Sequence, residues 1–133
     1  MVEESTSLVD IVTSAPASEV TQALAASRTD DIANLRYGHF NNGLAHAAVR
    51  NPDASVIRLV QDAGANIDLQ DGQGRTPLHH AIDADAAAAA RMLLALGARR
   101  NLTNSAGLTA DGFCRALLEE LPSHETCRIL NPR

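Results

Sequence analysis

Lysine and tryptophan are absent from this sequence of 133 residues, and aromatic residues of any kind are scarce. Only Tyr37, Phe40 and Phe113 carry aromatic rings, whereas alanine occurs 24 times. A core built from Ala, Leu, Val and Ile packs small side chains closely, as stacked helices do. Because a large ligand cavity is usually lined by bulkier side chains, this composition argues against a protein that encloses a small-molecule substrate.

Positive charge is also in short supply. The chain has 16 acidic residues against 11 basic ones, all of them arginine, for a formal net charge of −5. Proteins that bind the phosphate backbone of nucleic acids use a basic face, and single strands are stacked on aromatic side chains. The composition therefore argues against nucleic acid as a partner.

Cysteine is limited to Cys114 and Cys127, too few for a disulfide framework, so a reducing intracellular compartment is the expected location. The N-terminal segment MVEESTSLVD lacks the basic and apolar regions of a signal peptide. No apolar run approaches the length needed to span a membrane. We therefore expect an intracellular protein of the cytoplasm, with the nucleus as an alternative, and no membrane partner.

What the sequence does contain is an internal repeat of 33 residues. Thr76 in GRTPLHHAI has its counterpart in Thr109 of GLTADGFC, and His79 is preceded at the same step by His46 of NNGLAHAAV. The Gly-Ala pair of QDAGAN recurs in LALGAR with the same spacing. One period running through a chain of single-domain length, 45% of it hydrophobic, indicates a one-dimensional stack of similar units without a closed active-site cleft.

These motifs resemble those of the ankyrin-repeat family. Residues 71–103, DGQGRTPLHHAIDADAAAAARMLLALGARRNLT, form a near-complete copy with the family's Thr-Pro-Leu-His motif at residues 76–79. Residues 38–70, GHFNNGLAHAAVRNPDASVIRLVQDAGANIDLQ, form a second copy. The resemblance implies an all-α solenoid of about four helix-turn-helix units with short β-turn fingers. We expect one domain, 1–133, whose degenerate capping units are residues 1–37 and 104–133.

Local signals place helices within this pattern. Thr76 suits an N-cap and Pro77 the first helical position, so a short helix is predicted there. A second helix is predicted from about Asp85 to Leu96, and in the preceding copy Asn51 is the predicted N-cap. In the capping units we predict a helix around Leu8 to Val12, a Ser18-capped helix after it, and a last short helix in SHETCRIL. The segments NIDLQDGQG and NLTNSAG are the predicted fingers.

Histidines invite a metal or catalytic interpretation. His46 and His79 recur with the repeat, and the family resemblance implies that they are buried and bond neighbouring loops across the stack. His79 or His80 could present a metal ligand on the same helix face as Asp83. No third or fourth ligand falls nearby, whereas zinc sites usually have four ligands, so no metal and no cofactor are expected.

The two cysteines invite a nucleophile interpretation. Cys127 lies three residues after His124, but an orienting group and an oxyanion site are not apparent. Cys114 is most simply a small core residue and Cys127 a helix-packing residue. The expectation is that the chain is not an enzyme.

In the ankyrin family, finger residues and the exposed turn of the inner helix form a concave binding surface. Two aromatics of this chain, Tyr37 and Phe40, flank His39 at the start of the first recognisable finger. An exposed aromatic there would be a natural hot spot, whereas a buried one would seal the N-terminal unit; both interpretations stay open for Phe40, and Tyr37 favours the second. Carried over position by position, the partner-binding set is His39, Phe40, Asn42, Arg50, Asn51, Gln70, Gln73, Arg75, Asp83, Thr103, Ser105 and Leu108.

The resulting functional prediction is a non-enzymatic module that binds a protein partner through this surface, as an adaptor, inhibitor or assembly subunit, and is a monomer or weak homodimer. One alternative is a constitutive structural subunit or homodimer whose stack is completed by another copy. The other is a thiol- or metal-dependent enzyme centred on Cys127 and His124.

Overall fold

A computed structural model describes residues 7–130, and the described part of the chain is all-α. Short helices follow one another closely along the chain, as the repeat predicts. Their bounds are α1 (Leu8–Ser14), α2 (Ala17–Ala25), α3 (Thr29–Asn34), α4 (Leu44–Val49), α5 (Ser55–Asp62), α6 (Pro77–Asp83), α7 (Ala87–Ala95), α8 (Ala110–Glu120) and α9 (Glu125–Leu130).

The helices form two layers. Helices α1, α4, α6 and α8 pack side by side in one row, and α2, α5, α7 and α9 form the second row behind it. Each helix of the first row pairs with the one that follows it in the second row, which confirms the predicted all-α solenoid. Helix α3 lies outside this pairing, between α2 and the first finger, and was not predicted.

The core between the layers is aliphatic and rich in alanine. In α5, Val56, Ile57 and Val60 are fully buried. In α7 Leu93 is fully buried, and two alanines of the run before it, Ala89 and Ala90, are buried against the neighbouring helices. Small side chains let adjacent pairs approach closely, which is why this stack needs so few aromatic residues.

Threonine caps begin two helices of the first row. The Thr76 hydroxyl accepts a hydrogen bond from the backbone N–H of His79 at 3.2 Å, and Pro77 occupies the first helical position, both as predicted. One period later, the Thr109 hydroxyl accepts from the N–H of Gly112 at 3.1 Å. The repeated threonine therefore sets the same start for α6 and α8.

Three predicted helix starts are wrong. Helix α2 begins at Ala17 after Pro16, so Ser18 is not its cap. Helix α5 begins only at Ser55. The Asn51 side-chain amide nitrogen donates to the carbonyls of Val12 and Ala15, each at 2.9 Å, and its Oδ1 accepts from the N–H of Asp53 at 2.9 Å. Asn51 thus ties the end of α4 to α1, and the chain needs three further residues to turn into α5.

The third wrong start is that of α7, which begins at Ala87 and not at Asp85. Asp85 has a positive φ of 50°, and its carboxylate accepts hydrogen bonds from the backbone N–H and the hydroxyl of Thr126, at 2.9 and 2.8 Å. Asp85 therefore helps to cap α9. The presence of α9 at Glu125–Leu130 confirms the predicted last short helix.

Three β-turn fingers project beside the first row, at residues 37–42, 71–75 and 104–108. The first is closed by reciprocal backbone hydrogen bonds between Tyr37 and Asn42, at 2.8 and 2.9 Å. In the second, the N–H of Asp71 donates to the carbonyl of Arg75 at 2.9 Å, and the third has the same closure. The predicted fingers are thereby confirmed, and we call them fingers 1, 2 and 3.

Neighbouring fingers are joined through their backbones. The N–H of Gly72 donates to the carbonyl of Phe40, and the N–H of Ser105 donates to that of Gln73 at 2.8 Å. A Cβ atom at residue 72 would lie only 3.0 Å from the Phe40 carbonyl oxygen, so glycine permits this close approach. The fingers consequently form one continuous ridge along the stack.

The cysteines are paired, contrary to the sequence-based interpretation. Cys114 of α8 and Cys127 of α9 form a disulfide, with Cα atoms 5.1 Å apart, and both residues are fully buried. The prediction that both pack in the interior is confirmed. Their pairing, however, removes the argument that the cysteine content indicates a reducing compartment.

The disulfide should contribute measurably to stability. Because it closes a loop between residues 13 apart, reduction or a Cys114→Ala, Cys127→Ala double variant should lower the free energy of unfolding by about 3 kcal/mol. Urea denaturation with and without dithiothreitol measures this. The double variant should show no response to the reductant, and an unchanged midpoint for the reduced wild type would contradict the assignment.

Candidate partner-binding surface

Two buried histidines connect the first-row helices to the next finger. His46 Nε2 lies 2.8 Å from the carbonyl oxygen of Arg75, at the end of finger 2. One repeat later, His79 Nε2 lies 3.0 Å from the carbonyl oxygen of Leu108, at the end of finger 3. Both side chains are buried, which confirms the role that the family resemblance implied for them.

The second ring nitrogen of each histidine determines its tautomer. Nδ1 of His46 accepts from the N–H of Gly43 at 3.0 Å, and Nδ1 of His79 accepts from that of Thr76 at 3.1 Å. Each ring is therefore neutral, carries its proton on Nε2 and donates it to the finger carbonyl. Burial lowers the pKa of both, to about 4 for His46.

This arrangement makes stability depend on pH. An unfolded imidazole has a pKa of 6.5, whereas folded His46 has one of about 4, so only the unfolded state takes up a proton between these values. The stabilisation is complete above pH 6.5 and should fall by about 3 kcal/mol as the pH drops to about 4. Urea denaturation across this range measures the loss. An NMR titration in which His46 titrates near 6.5 would contradict it.

Asp71 organises finger 2. Its side chain is fully buried; Oδ1 accepts from the N–H groups of Gln73 and Arg75, and Oδ2 lies 3.0 Å from both Arg75 Nε and His80 Nε2. Burial acts to raise the pKa of this carboxyl, but the hydrogen bonds from His80, Arg75 and Gln73 outweigh it and leave the pKa below its usual value. Asp71 is thus a carboxylate that fixes both the turn and the Arg75 side chain.

Phe40 stands on finger 1 beside this arginine. It remains 45% exposed, and the Arg75 guanidinium carbon lies 5.2 Å from the centroid of its ring, within the range of a cation–π contact. The ring therefore lies at the surface and does not seal the N-terminal unit. Tyr37, by contrast, is half-buried and packs against the core, as predicted.

Eleven of the twelve residues of the predicted set reach the surface at least in part. The exception is Asn51, which is only 6% exposed and holds α1, so its assignment to partner binding is corrected. We call the remaining set the finger surface; its exposed members are His39, Phe40, Arg50, Gln70, Gln73, Asp83, Thr103 and Ser105, and its half-buried members are Asn42, Arg75 and Leu108.

The structure brings some of these residues into direct contact. Besides Phe40 and Arg75, the Gln70 side-chain amide donates to the carbonyl of Thr103 at 2.8 Å, and Gln73 and Ser105 share a backbone hydrogen bond. His39 and Asp83 make no hydrogen bond or ion pair with other members among residues 7–130. His39 and Asp83 share with the other members only their position on the finger surface.

Sequence reasoning missed three residues that shape this surface, Arg36, Asp71 and His80. Arg36 Nη1 donates to the carbonyls of Asn41 and Gln70, at 2.9 and 3.1 Å, and so joins fingers 1 and 2. A signal for Asp71 was present, since aspartate often bonds the backbone two residues onward in a turn, as it does in DGQGR. Nothing in the sequence signalled the contacts of Arg36.

Within residues 7–130, one group has the composition of a metal site. The possible ligand atoms of His46, Asp71 and His80 lie within 4.8 Å of one another. Both ring nitrogens of His46 and both oxygens of Asp71 already have hydrogen-bond partners in the protein. A metal ion would have to displace these bonds, so the group is better described as the network that holds finger 2.

The alternative centre at Cys127 and His124 has an equally structural arrangement. The Cys127 sulfur is bonded to Cys114, and His124 Nδ1 accepts a hydrogen bond from the backbone N–H of Cys127 at 3.2 Å. The imidazole thus caps α9 and does not activate a thiol.

None of the helices in residues 7–130 is both long and apolar enough to cross a membrane.

Paired helices in two layers, histidine bridges and a ridge of β-turn fingers define a helix-turn-helix repeat solenoid. Comparison with known proteins agrees: the family described as ankyrin repeats (many copies) matches residues 59–110. This segment of the chain therefore consists of ankyrin repeats. Repeats of this family generally mediate protein–protein interaction, and their fold is typically non-enzymatic.

Curated relatives match about half of this chain. The chain is 39% identical over 66 residues to the ADP-ribosylation factor GTPase-activating protein AGD2 of Arabidopsis thaliana, which is 50% of this chain and 8% of that protein. It is 40% identical over 73 residues to the Neurogenic locus Notch protein of Drosophila melanogaster, which is 55% of this chain and 3% of that protein. The chain therefore spans less than a tenth of the length of these relatives.

Proposed function

We propose that the chain is a non-enzymatic module that binds a protein partner through the finger surface, as an adaptor, inhibitor or assembly subunit. The observation that carries this proposal is the group formed by Phe40, Arg75 and Asp71. An exposed aromatic ring lies beside an arginine, and a buried carboxylate fixes that arginine. Aromatic and arginine side chains are the residue types most enriched at binding hot spots.

Rigidity supports the same proposal. Backbone hydrogen bonds join the three fingers, and the Arg36 and Gln70 side chains add further links between them. A surface that is already ordered loses little conformational entropy when a partner binds, so more of the contact energy appears as affinity. The ridge thus offers a partner a preformed surface.

The proposed module also has the repeat units and the oligomeric state that the sequence predicts. The module has two typical units at residues 38–70 and 71–103 with capping units at 1–37 and 104–133. It acts as a monomer or weak homodimer, without cofactor, metal, nucleic acid, membrane or small-molecule substrate. Size-exclusion chromatography with light scattering tests the oligomeric state.

The experiment compares two double variants in affinity capture from an extract of the source cells. Phe40→Ala, Arg75→Ala removes one apolar residue and one arginine from the finger surface. Leu121→Ala, Arg58→Ala is the matched control, since Leu121 is 52% exposed after α8 and Arg58 is exposed on α5, in the second row. Mass spectrometry identifies what each variant captures.

We expect the partner captured by the wild type to be lost with the finger variant and kept with the control. Replacing two hot-spot residues should raise the dissociation constant at least about 30-fold, corresponding to about 2 kcal/mol or more. Equal capture by both variants would overturn the proposal. Loss with the control alone would instead support binding or self-association through the second row or the C-terminal end.

A further inference from the structure

We infer that the finger surface selects an acidic peptide segment, in which a carboxylate is bound by Arg50 and Arg75 and a neighbouring apolar side chain packs on Phe40. This inference rests on the proposed function and adds the chemistry of the partner. It follows from how charge is distributed over the surface and from which polar atoms remain available there.

Charge on the finger surface has the opposite sign to that of the whole chain. The chain carries a formal charge of −5, yet the surface holds two arginines, Arg50 and Arg75, against one carboxylate, Asp83. Arg36 adds a third positive charge at the base of finger 1. Asp71 is buried and already bonded, so it presents no carboxylate to a partner.

The two arginines lie near the same point of the stack. Arg50 follows His46 by one turn at the end of α4, and the His46 ring lies 4.7 Å from that of His80, which shares the Asp71 carboxylate with Arg75. A single short segment could therefore reach Arg50, Arg75 and finger 1 together.

Both arginines keep donors for a ligand. Arg75 uses Nε to bond Asp71, and no hydrogen bond or ion pair of its two Nη atoms is found among residues 7–130. The Arg50 side chain is exposed and likewise makes no such bond within the described residues. Guanidinium groups bind carboxylates through paired hydrogen bonds, and Asp71 already holds one of them in place.

Phe40 sets the second requirement. Its ring is half-exposed, more so than that of Tyr37 on the same finger, and lies beside the Arg75 guanidinium. An apolar side chain next to the carboxylate would bury this ring, while a purely acidic segment would leave it exposed. The fitting partner is therefore an Asp- or Glu-containing segment with an adjacent Phe, Trp, Tyr or Leu.

The test uses a phage-displayed library of random dodecapeptides selected on the purified protein. The inference expects enrichment of Asp or Glu next to an aromatic residue or leucine. The best peptide is then synthesised, and its affinity is measured for wild type, Arg50→Ala and the control Arg58→Ala. Arg50→Ala is preferred because it removes no side-chain hydrogen bond found among residues 7–130; circular dichroism verifies its fold.

Arg50→Ala should weaken binding about tenfold, as expected when a charge-assisted hydrogen bond is lost, and Arg58→Ala should leave it unchanged. The peptide in which Asp is replaced by Asn, or Glu by Gln, should bind wild type and Arg50→Ala with the same weak affinity. It has no carboxylate for Arg50 to bind, so removal of the Arg50 side chain should cost nothing further. Affinity for the acidic peptide should also fall as salt is raised.

Other outcomes separate this inference from the proposed function. Enriched peptides that are neutral or basic, but lose binding in the Phe40→Ala, Arg75→Ala variant, would overturn the inference and leave the proposed function standing. Enriched peptides that bind that variant as tightly as the wild type would overturn both the inference and the proposed function. Failure to enrich any peptide, or displacement of the acidic peptide by a random single-stranded DNA oligonucleotide at lower concentration, would also overturn the inference.

Discussion

Replacing His79 by alanine should lower the free energy of unfolding by about 3–5 kcal/mol. The change leaves the buried N–H of Thr76 and the carbonyl of Leu108 without their side-chain partner, and each unsatisfied buried group costs about 1–3 kcal/mol. The volume of the lost ring adds a cavity cost between α6 and finger 3. Urea denaturation at about pH 7.5, where the wild-type ring is neutral, measures the difference.

His39 provides the matched control for this variant. It is exposed on finger 1 and makes no hydrogen bond among the described residues, so His39→Ala should change stability by less than about 0.5 kcal/mol. A His79→Ala variant no less stable than His39→Ala would show that the histidine bridge does not hold the stack.

Replacing Asp71 by asparagine should have the second large effect, about 3 kcal/mol of lost stability. The introduced amide oxygen can still accept from two backbone N–H groups, but the amide NH₂ group would face Arg75 Nε where a carboxylate oxygen now accepts. Removing one member of a buried charge pair is costly because the other is left uncompensated. Here the cost is moderated, since the Arg75 side chain is 28% exposed and can turn to solvent.

The same variant should weaken partner binding although Asp71 is buried. Once its bond to Asp71 is lost, Arg75 becomes mobile, and binding must order it again at a cost of about 1 kcal/mol. The control is Asp62→Asn on α5, in the second row, which should affect neither stability nor binding because this carboxylate is exposed. Unchanged affinity in a folded Asp71→Asn protein would show that the fixed position of Arg75 is not needed.

Much of the fold could be predicted because each repeat motif determines its structure through interactions between residues close in the sequence. Thr76, Pro77 and His79 specify a capped helix start within four residues, and the capping threonine recurs at Thr109. The histidine bridges follow from the same period. Such interactions span one repeat or less, which is why the architecture follows from the sequence alone.

The wrong predictions at Asn51 and Asp85 have a different cause, which is contact over a long sequence separation. Asn51 has the residue type and position of a helix cap, and its Oδ1 accepts from the N–H of Asp53, but its amide nitrogen donates to carbonyls at the end of α1, 36 and 39 residues earlier. Asp85 likewise bonds Thr126, 41 residues later. Local propensity cannot distinguish a residue that caps its own helix from one that ties two helices together.

The residues that form the candidate surface were predictable, but the contacts that hold them in place were not. The repeat places Phe40, Gln73 and Arg75 on one ridge, and the structure agrees. That Asp71 fixes Arg75 while His80 shares the same carboxylate depends on a fold-back from α6 onto finger 2, which has no sequence signature of its own.

The most direct test of the account maps the partner onto the ridge. Backbone amide NMR spectra of the ¹⁵N-labelled chain are recorded with and without the partner identified by affinity capture. We predict that the largest shift changes fall on Phe40, Arg50, Gln73 and Arg75, with little change along α2, α5 and α7. Changes concentrated on those second-row helices, or around Leu121, would contradict binding through the finger surface.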